Sequence, residues 1–337
     1  MVQNYAFGID LGTSNIKIYN LADDSIMIEK NMIAIENKKN IFAYGNSAYE
    51  MYEKAPANIQ ISHPLCNGVI ADINNMERLV KFFINDISKG SLKPADFYIA
   101  VPTDITEVEK RAFYDLIKEA NVKAKKIMVV EKAVADGLGM DIDVKNSQGV
   151  LVVDIGYDTT EVSILSLGGI VLSRLIKTGG LKFDEAIRQA VRKEFNLLIG
   201  QKTAENIKKS LASLEKEGKG AVVYGRDIVV GLPVEREIPT DLINHSLEEH
   251  FNTIIDSVKV ILERTPPELG ADIFRHGIYL TGGASQISHF SELVQQATGL
   301  KVNNAQRPVE SVVLGLSRIL KEDNYKSVAY AIEGMGK

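Results

Sequence analysis

The stretch VVDIGYDTTEVSIL, residues 152–165, decides the fold class of this chain. Apolar residues lead into Asp154, Ile155 and Gly156, and an alternating polar and apolar segment follows. A strand that ends in a carboxylate and a glycine turn can present backbone N–H groups to a phosphate. Tyr157 and Asp158 stand in that turn, where a ring and a negative charge are unusual neighbours for an anion. The stretch therefore predicts a phosphate-facing strand pair with two residues that need their own explanation.

A second copy of the pattern lies near the start of the chain. YAFGID and IKIYNL read as strands joined by LGTSN, just as LVVDIG and TEVSIL are joined by YDT. Asp10 and Gly12 correspond to Asp154 and Gly156. The alternative is two unrelated β-hairpins, but the match includes the position of the aspartate as well as the turn. We interpret the two copies as an internal duplication with two phosphate-facing hairpins.

Composition excludes several classes of protein. The 337 residues suggest two domains or one two-lobed body, and the net charge of −5 disfavours a nucleic-acid partner. The single cysteine, Cys66, excludes an internal disulfide and a cysteine metal cluster, and favours a reducing cytoplasm. No apolar run approaches the ~20 residues of a membrane helix, and the segment before the first strand is too short for a signal peptide or an amphipathic anchor.

Helical patterns alternate with the strands and make the chain α/β. INNMERLVKFFINDI, residues 73–87, has helical spacing, and Thr106 with Glu109 forms a capping-box pattern before an apolar face that includes Val108. FDEAIRQAVRKEFNLLIG predicts a helix that ends at Gly200. Residues 217–238 are rich in strand formers, and residues 278–299 read as strand, glycine turn and helix.

The glycine turns imply a nucleotide site. An aspartate before such a turn cannot usefully contact phosphate, but Asp10 and Asp154 could each hold Mg²⁺ through water. A third turn, LTGGAS at residues 280–285, could lie flat against an adenine or ribose. The sequence contains neither a P-loop nor a dinucleotide-binding fingerprint.

The order GIDLGTSN, VVDIGYDTTEV, YLTGGASQI resembles that of the actin, Hsp70 and sugar-kinase superfamily. Within it the chain is similar to the MreB family of bacterial actins: PLCNGVIADI, VPTDITEVEKRA, FNLLIGQKTAENIK and GRDIVVGLP all resemble MreB stretches, and the match covers almost the whole chain. The resemblance implies two RNase H-like lobes, each with a smaller subdomain, around a central cleft that binds ATP or ADP. Lobe I would comprise residues 1–143 and 310–337, and its smaller subdomain would be residues 32–65. Lobe II would comprise residues 144–309, and its smaller subdomain would be residues 181–242.

The resemblance also assigns site residues. Glu205 and Lys208 would contact adenosine, although an ordinary solvated helix pair is the alternative. Lys17 would either contact phosphate or be a solvent-facing strand lysine. The other nucleotide contacts implied are Asp10, Gly12, Thr13, Ser14 and Asn15 in the first loop, Asp154, Gly156, Tyr157, Asp158 and Thr159 in the second, Gly179 and Gly180 beside the phosphates, and Gly282, Gly283 and Ala284 in the adenosine loop.

Two departures from the family pattern affect hydrolysis. The family reads D-I-G-G-G-T-T-E-V where this chain has Tyr157 and Asp158, and E-E-P-M-A-A-A-I-G where it has EKAVADGLG, residues 131–139. Fifteen residues separate Gly139 from Asp154, as in the usual pattern, so the glutamate that orients the attacking water falls on Lys132. Glu131 lies about 100° round a helix and points elsewhere. Lys132 would bind the γ-phosphate or pair with Asp158 across the cleft; the alternative is a solvated Lys132 at a tolerant position.

These features favour a filament-forming, ATP-binding cytoskeletal protein with weak or absent hydrolysis. The alternatives are a fully active MreB ATPase that guides cell-wall synthesis, a small-molecule kinase and an Hsp70-type chaperone, which would need a further domain after the region ending at Lys337. Leu92, with Lys89 and Lys93 near it, gives one exposed apolar anchor and predicts weak association with the inner face of the membrane. Other MreB paralogues are further expected partners, in cell shape or motility.

Overall fold

The computed structural model describes residues 5–211 and 220–332. Its strands are β1 (Ala6–Leu11), β2 (Asn15–Asn20), β3 (Ser25–Lys30), β4 (Ile33–Glu36), β5 (Asn40–Tyr44), β6 (Ile59–Ser62), β7 (Leu65–Cys66), β8 (Val69–Ile70), β9 (Ala95–Val101), β10 (Ala124–Glu131), β11 (Val150–Ile155), β12 (Thr160–Ser166), β13 (Gly169–Ile176), β14 (Leu197–Leu198), β15 (Ala221–Asp227), β16 (Pro233–Ile238), β17 (Ile278–Thr281) and β18 (Val302–Asn304). Its α-helices are α1 (Gly45–Met51), α2 (Ile73–Ile87), α3 (Glu107–Glu119), α4 (Lys132–Gly139), α5 (Gly180–Phe195), α6 (Gln201–Leu211), α7 (Thr240–Arg264), α8 (Pro267–His276), α9 (Phe290–Thr298) and α10 (Ser311–Lys321).

Two five-stranded sheets share one topology. The first has the order β3-β2-β1-β9-β10 and the second the order β13-β12-β11-β17-β18. In the first sheet, β1 pairs antiparallel with β2 and parallel with β9. In the second sheet, β11 pairs antiparallel with β12 and parallel with β17. Both predicted hairpins are therefore confirmed, and they occupy equivalent places in two sheets of one topology, as an internal duplication requires.

Smaller sheets lie inside the two segments predicted as subdomains. Strands β5-β4-β6 form one within residues 32–65, and β14-β15-β16 form another within residues 181–242. The exact lobe limits stay a prediction, and residues 1–4, 212–219 and 333–337 of those ranges lie outside the described part. Within the described part, no helix combines the length and the apolar character needed to cross a membrane.

Helices α4 and α10 pack closely against each other. A Cβ at Gly315 would lie 1.8 Å from the carbonyl oxygen of Ala135, so only glycine permits this approach. The contact fixes the start of α4, which carries Lys132, relative to both sheets.

Most predicted elements are present, with two local errors. The capping box of Thr106 and Glu109 is formed, and α2 spans residues 73–87. Val108 is 80% exposed, because α3 becomes buried against the core only from Phe113 onwards. Helix α5 does not reach Gly200: Asn196 adopts the left-handed conformation at φ 50° and ends it, since asparagine tolerates that region.

Candidate functional site

A cavity of about 600 Å³ lies between the two sheets. This volume is within the range of ligand sites in proteins. Gly179, at the N-terminus of α5, is outside the lining. Every other predicted site residue lines the cavity: Asp10, Gly12, Thr13, Ser14, Asn15, Lys17, Lys132, Asp154, Gly156, Tyr157, Asp158, Thr159, Gly180, Glu205, Lys208, Gly282, Gly283 and Ala284.

The two glycine turns are built alike. The N–H of Gly12 donates to the carbonyl of Asn15 at 3.1 Å, and the N–H of Gly156 donates to that of Thr159 at 2.9 Å. Each turn sets the register of its hairpin, which places Asp10 opposite Lys17 and Asp154 opposite Glu161. Cross-strand neighbours project from the same face of a sheet, so each aspartate has a charged residue beside it.

In the first hairpin this neighbour is a cation. The Nζ atom of Lys17 lies 2.7 Å from Oδ2 of Asp10, and both residues are buried. Lys17 also lines the cavity, so the solvent-facing alternative was wrong. A Cβ at Gly12 would lie 3.7 Å from its Nζ, so the ammonium stands beside the first glycine turn.

In the second hairpin the cation comes from Lys132, the first residue of α4. Its Nζ lies 2.5 Å from Oδ2 of Asp154 and 3.5 Å from Oε1 of Glu161, and its side chain is 18% exposed. Burial alone would lower the pKa of Lys132, but the carboxylates of Asp154 and Glu161 outweigh it and raise that pKa above its usual value. The amine is therefore held as an ammonium. The predicted ion pair with Asp158 is not formed, and the solvated alternative was also wrong.

Glu131 does not supply a carboxylate to the cavity. Its Oε1 accepts from Lys110 at 2.9 Å and from the Tyr330 hydroxyl at 2.7 Å. The side chain therefore points away from the cavity, as its position on the chain predicted.

Tyr157 and Asp158 are explained by structural contacts. The Asp158 carboxylate accepts a hydrogen bond from the backbone N–H of Asn67, in the turn between β7 and β8. The Tyr157 hydroxyl accepts from Nε2 of Gln201 at 2.9 Å, and the Tyr157 carbonyl accepts from the N–H of Leu181 at 2.6 Å. The Asp158 contact thus connects the second hairpin to the turn between β7 and β8, and the Tyr157 contacts connect the hairpin to α5 and α6.

The predicted adenosine side rests on helix α6. Lys208 Nζ lies 2.7 Å from Oδ1 of Asp184 and donates to the carbonyl of Gly180 at 2.9 Å. Burial opposes ionisation of Glu205, but the ammonium groups of Lys209 and Lys30 prevail and hold its pKa below its usual range. Lys208 is buried, so the solvated-pair alternative was wrong.

Gly282 brings the third loop onto Asp154. Its φ is 88°, and a Cβ there would lie 2.2 Å from Oδ1 of Asp154. Glycine is needed both for this conformation and for this approach. The loop therefore covers one carboxylate oxygen while Lys132 covers the other.

Several lining residues were not predicted. Lys30 lies 3.2 Å from the hydroxyl of Ser14, and Glu161 is the cross-strand neighbour of Asp154. Below the cavity, buried Asp136 accepts from the Ser311 hydroxyl at 2.6 Å, and burial raises the pKa of its carboxyl well above its usual value. Hairpin register could have revealed Glu161, whereas the contacts of Lys30 and Asp136 depend on tertiary packing.

The acidic residues do not fit a magnesium ion held through Asp154. Its Oδ2 is in an ion pair with Lys132 and its Oδ1 lies under Gly282, while Asp10 is paired with Lys17. Within residues 5–211 and 220–332, no group of three or more histidine, cysteine, aspartate or glutamate side chains is arranged to hold a metal. The expected Mg²⁺ partner thus disagrees with the charges that surround its site.

The segment predicted to touch the membrane packs against the rest of the protein more than expected. Leu92 is half-buried and packs against the core of the first sheet, so it is not a free apolar anchor. Lys93 donates to the Tyr5 hydroxyl at 2.6 Å. Lys89 is exposed, with its nearest carboxylate, Asp23, at 3.7 Å.

The duplicated sheets and the cavity between them define an actin-like fold. The described chain superposes on MreB5 of Spiroplasma citri bound to AMPPNP with a TM-score of 0.90 and 35% identity, covering 97% of this chain and 98% of that one. A MamK double helical filament subunit matches with a TM-score of 0.80 at 21% identity, which shows the fold alone.

Sequence comparison gives the family. The MreB/Mbl protein family model matches residues 4–327. The cell shape-determining protein Mbl of Bacillus subtilis is 35% identical over 319 residues, covering 93% of this chain and 95% of that protein. MreB of Escherichia coli is 34% identical over 322 residues, covering 93% and 92%. The chain belongs to the MreB/Mbl family of bacterial actin-like proteins.

Proposed function

We propose that the protein binds ATP and ADP in the cavity between its sheets and polymerises into filaments, with weak or absent ATP hydrolysis. The observation that carries the proposal is the Lys132 ammonium, which lies 2.5 Å from Asp154 where the family pattern places a carboxylate. Filaments of this kind would lie in the cytoplasm at the inner face of the membrane and act in cell shape or motility.

Nucleotide binding is supported by geometry and by relatives. Two glycine turns line the cavity together with Lys17 and Lys30, which suits a polyphosphate. MreB5 of Spiroplasma citri, 35% and 36% identical, has been solved with AMPPNP and with ADP. We assign the predicted phosphate loops and the Gly282–Gly283 loop to the nucleotide on these grounds.

Weak hydrolysis follows from the chemistry of the ammonium. Phosphoanhydride cleavage depends on positioning and on stabilising charge, with a group that orients the attacking water. An ammonium has no lone pair to accept a proton, and losing a general base costs typically ~10²–10⁴-fold in rate. We assign no base role to Glu161, since Lys132 lies 3.5 Å from its Oε1 and the N–H of Thr103 donates to its Oε2 at 3.2 Å.

Self-association is proposed from family membership. The partners would be further copies of this chain and other MreB paralogues, without nucleic acid. Membrane association would be weak, since Leu92 packs against the core and leaves the exposed Lys89 as the main contribution. The second candidate function is an active filament-forming ATPase that guides cell-wall synthesis, which the family relationship alone favours.

Calorimetry and electron microscopy test the proposal together. We expect ATP to bind at micromolar to submillimolar affinity, roughly −5 to −8 kcal/mol, and filaments to persist in ATP. Absence of binding heat and of competition with a fluorescent ATP analogue would remove the nucleotide role. Rapid disassembly coupled to stoichiometric phosphate release would favour the active ATPase.

A further inference from the structure

Each aspartate expected to hold a magnesium ion already has a lysine beside it. Asp10 is 2.7 Å from Lys17, and Asp154 is 2.5 Å from Lys132. The two pairs arise differently: Lys17 comes from the same hairpin, whereas Lys132 is brought to the second hairpin by α4.

Both oxygens of Asp154 have a close neighbour. Lys132 lies on Oδ2, and the backbone of Gly282 packs so closely on Oδ1 that a Cβ there would be 2.2 Å away. A water-bridged cation needs room for its hydration shell beside a carboxylate oxygen, since Mg²⁺ dehydrates reluctantly. The ammonium on Oδ2 and the loop against Oδ1 leave less room for such a shell.

Charge leads to the same conclusion. Relative to the glutamate that the family pattern places there, Lys132 makes the local charge two units more positive, which is the charge of one Mg²⁺. A divalent cation beside this ammonium would be repelled at short range in a site of low dielectric. The ammonium thus supplies the positive charge that a polyphosphate needs on this side.

We propose that the Lys132 ammonium takes the electrostatic place of the divalent cation, so that nucleotide binds to this site without magnesium. The proposal rests on the proposed function, because it concerns the same cavity and the same nucleotide. Lys17 on the other hairpin and Lys30 at Ser14 are further cations that line the cavity.

The test is the affinity for AMPPNP in the presence of excess Mg²⁺ and in EDTA. AMPPNP avoids hydrolysis, and protein below the concentration that supports polymer avoids coupling to assembly. For the wild-type chain we expect the two dissociation constants to agree within about threefold. A loss of about tenfold or more in EDTA would overturn the proposal.

Variants locate the effect at Lys132. Lys132→Glu should bind at least about tenfold more weakly in EDTA than in Mg²⁺, because its carboxylate joins Asp154 and Glu161. Lys132→Gln removes the ammonium without adding a carboxylate. Its affinity should depend on Mg²⁺ less than that of Lys132→Glu, and it replaces the glutamate variant if that variant does not fold. Lys125→Glu makes the same charge change at an exposed position of β10 and should match wild type.

The outcomes separate this inference from the proposed function. Binding that requires Mg²⁺ in wild type keeps the nucleotide role and overturns the metal-independent site. Absence of binding in both conditions overturns both. Equal magnesium dependence of wild type and Lys132→Glu overturns the role given to Lys132.

Discussion

The Nζ atom of Lys132 lies 2.5 Å from Oδ2 of Asp154, the aspartate that precedes the second glycine turn. Lys132 begins α4, and the close packing of that helix on α10 holds it in place. In the family pattern a carboxylate that orients water stands at this position, and here the ammonium pairs with the aspartate that was expected to hold a metal. Under the proposed function, this one difference from the family pattern changes both hydrolysis and the charge of the site.

Gly282→Ala should weaken nucleotide binding by at least about tenfold. A Cβ at that position would lie 2.2 Å from Asp154 Oδ1, and φ of 88° disfavours a side chain. Gly270→Ala in α8 is the matched control, since Gly270 lies outside the cavity lining and its Cβ would meet Thr265 at an ordinary 4.0 Å. Titration with a fluorescent ATP analogue checks both, and equal affinity of the two variants would contradict the role of Gly282.

Asp158→Ala should destabilise the protein by about 1–3 kcal/mol, the usual loss when a backbone N–H loses a charged acceptor. The N–H left without its partner is that of Asn67, in the turn between β7 and β8. Asp158→Asn keeps an acceptor oxygen and should recover at least half of the loss. Urea unfolding measures this, and stability equal to wild type in the alanine variant would show that the contact between the two segments contributes nothing.

The local features of the fold could be predicted from the sequence. Both glycine hairpins, the duplication and the capping box at Thr106 depend on residues close together in the chain. The end of α5 could not, because Asn196 adopts a left-handed conformation that Gly200 was expected to supply. Position on the chain assigns Lys132 to the glutamate position, and this assignment stays a prediction.

The partners of the site residues were harder to predict. Asp158 was expected to face Lys132, but it binds the Asn67 turn, which approaches from a distant part of the chain. Lys132 instead contacts Asp154 and Glu161, and only the hairpin register places those two carboxylates on one face. Such contacts depend on how separate elements pack, so a pattern along one strand does not determine them.

Asp184 should make stability depend on pH. Burial raises the pKa of its carboxyl from 3.8 to about 6, although Lys208 opposes the shift. Because the folded state holds this proton more tightly than the unfolded chain, its contribution is fully present below about pH 4. It is lost as pH rises to about 6, by an amount on the order of 3 kcal/mol.

The pH effect is measured as the difference in unfolding free energy between wild type and Asp184→Asn. We expect the unfolding free energy of wild type, relative to that of Asp184→Asn, to fall between about pH 4 and about pH 6 and to stay level above that range. Asp256→Asn, at an exposed position of α7, should give a flat difference. A flat difference for Asp184→Asn as well would mean that its carboxyl titrates normally.

Steady-state phosphate release tests the central claim most directly. Wild type, Lys132→Glu, Asp158→Gly and the double variant are compared at saturating ATP and Mg²⁺ under identical polymer conditions, after circular dichroism confirms folding. We expect Lys132→Glu to exceed wild type by at least about tenfold, about 1.4 kcal/mol of barrier. Asp158→Gly should add little, because Asp158 does not contact Lys132. If wild type, while binding ATP, releases phosphate as fast as Lys132→Glu, the assignment of Lys132 to the water-orienting position is wrong.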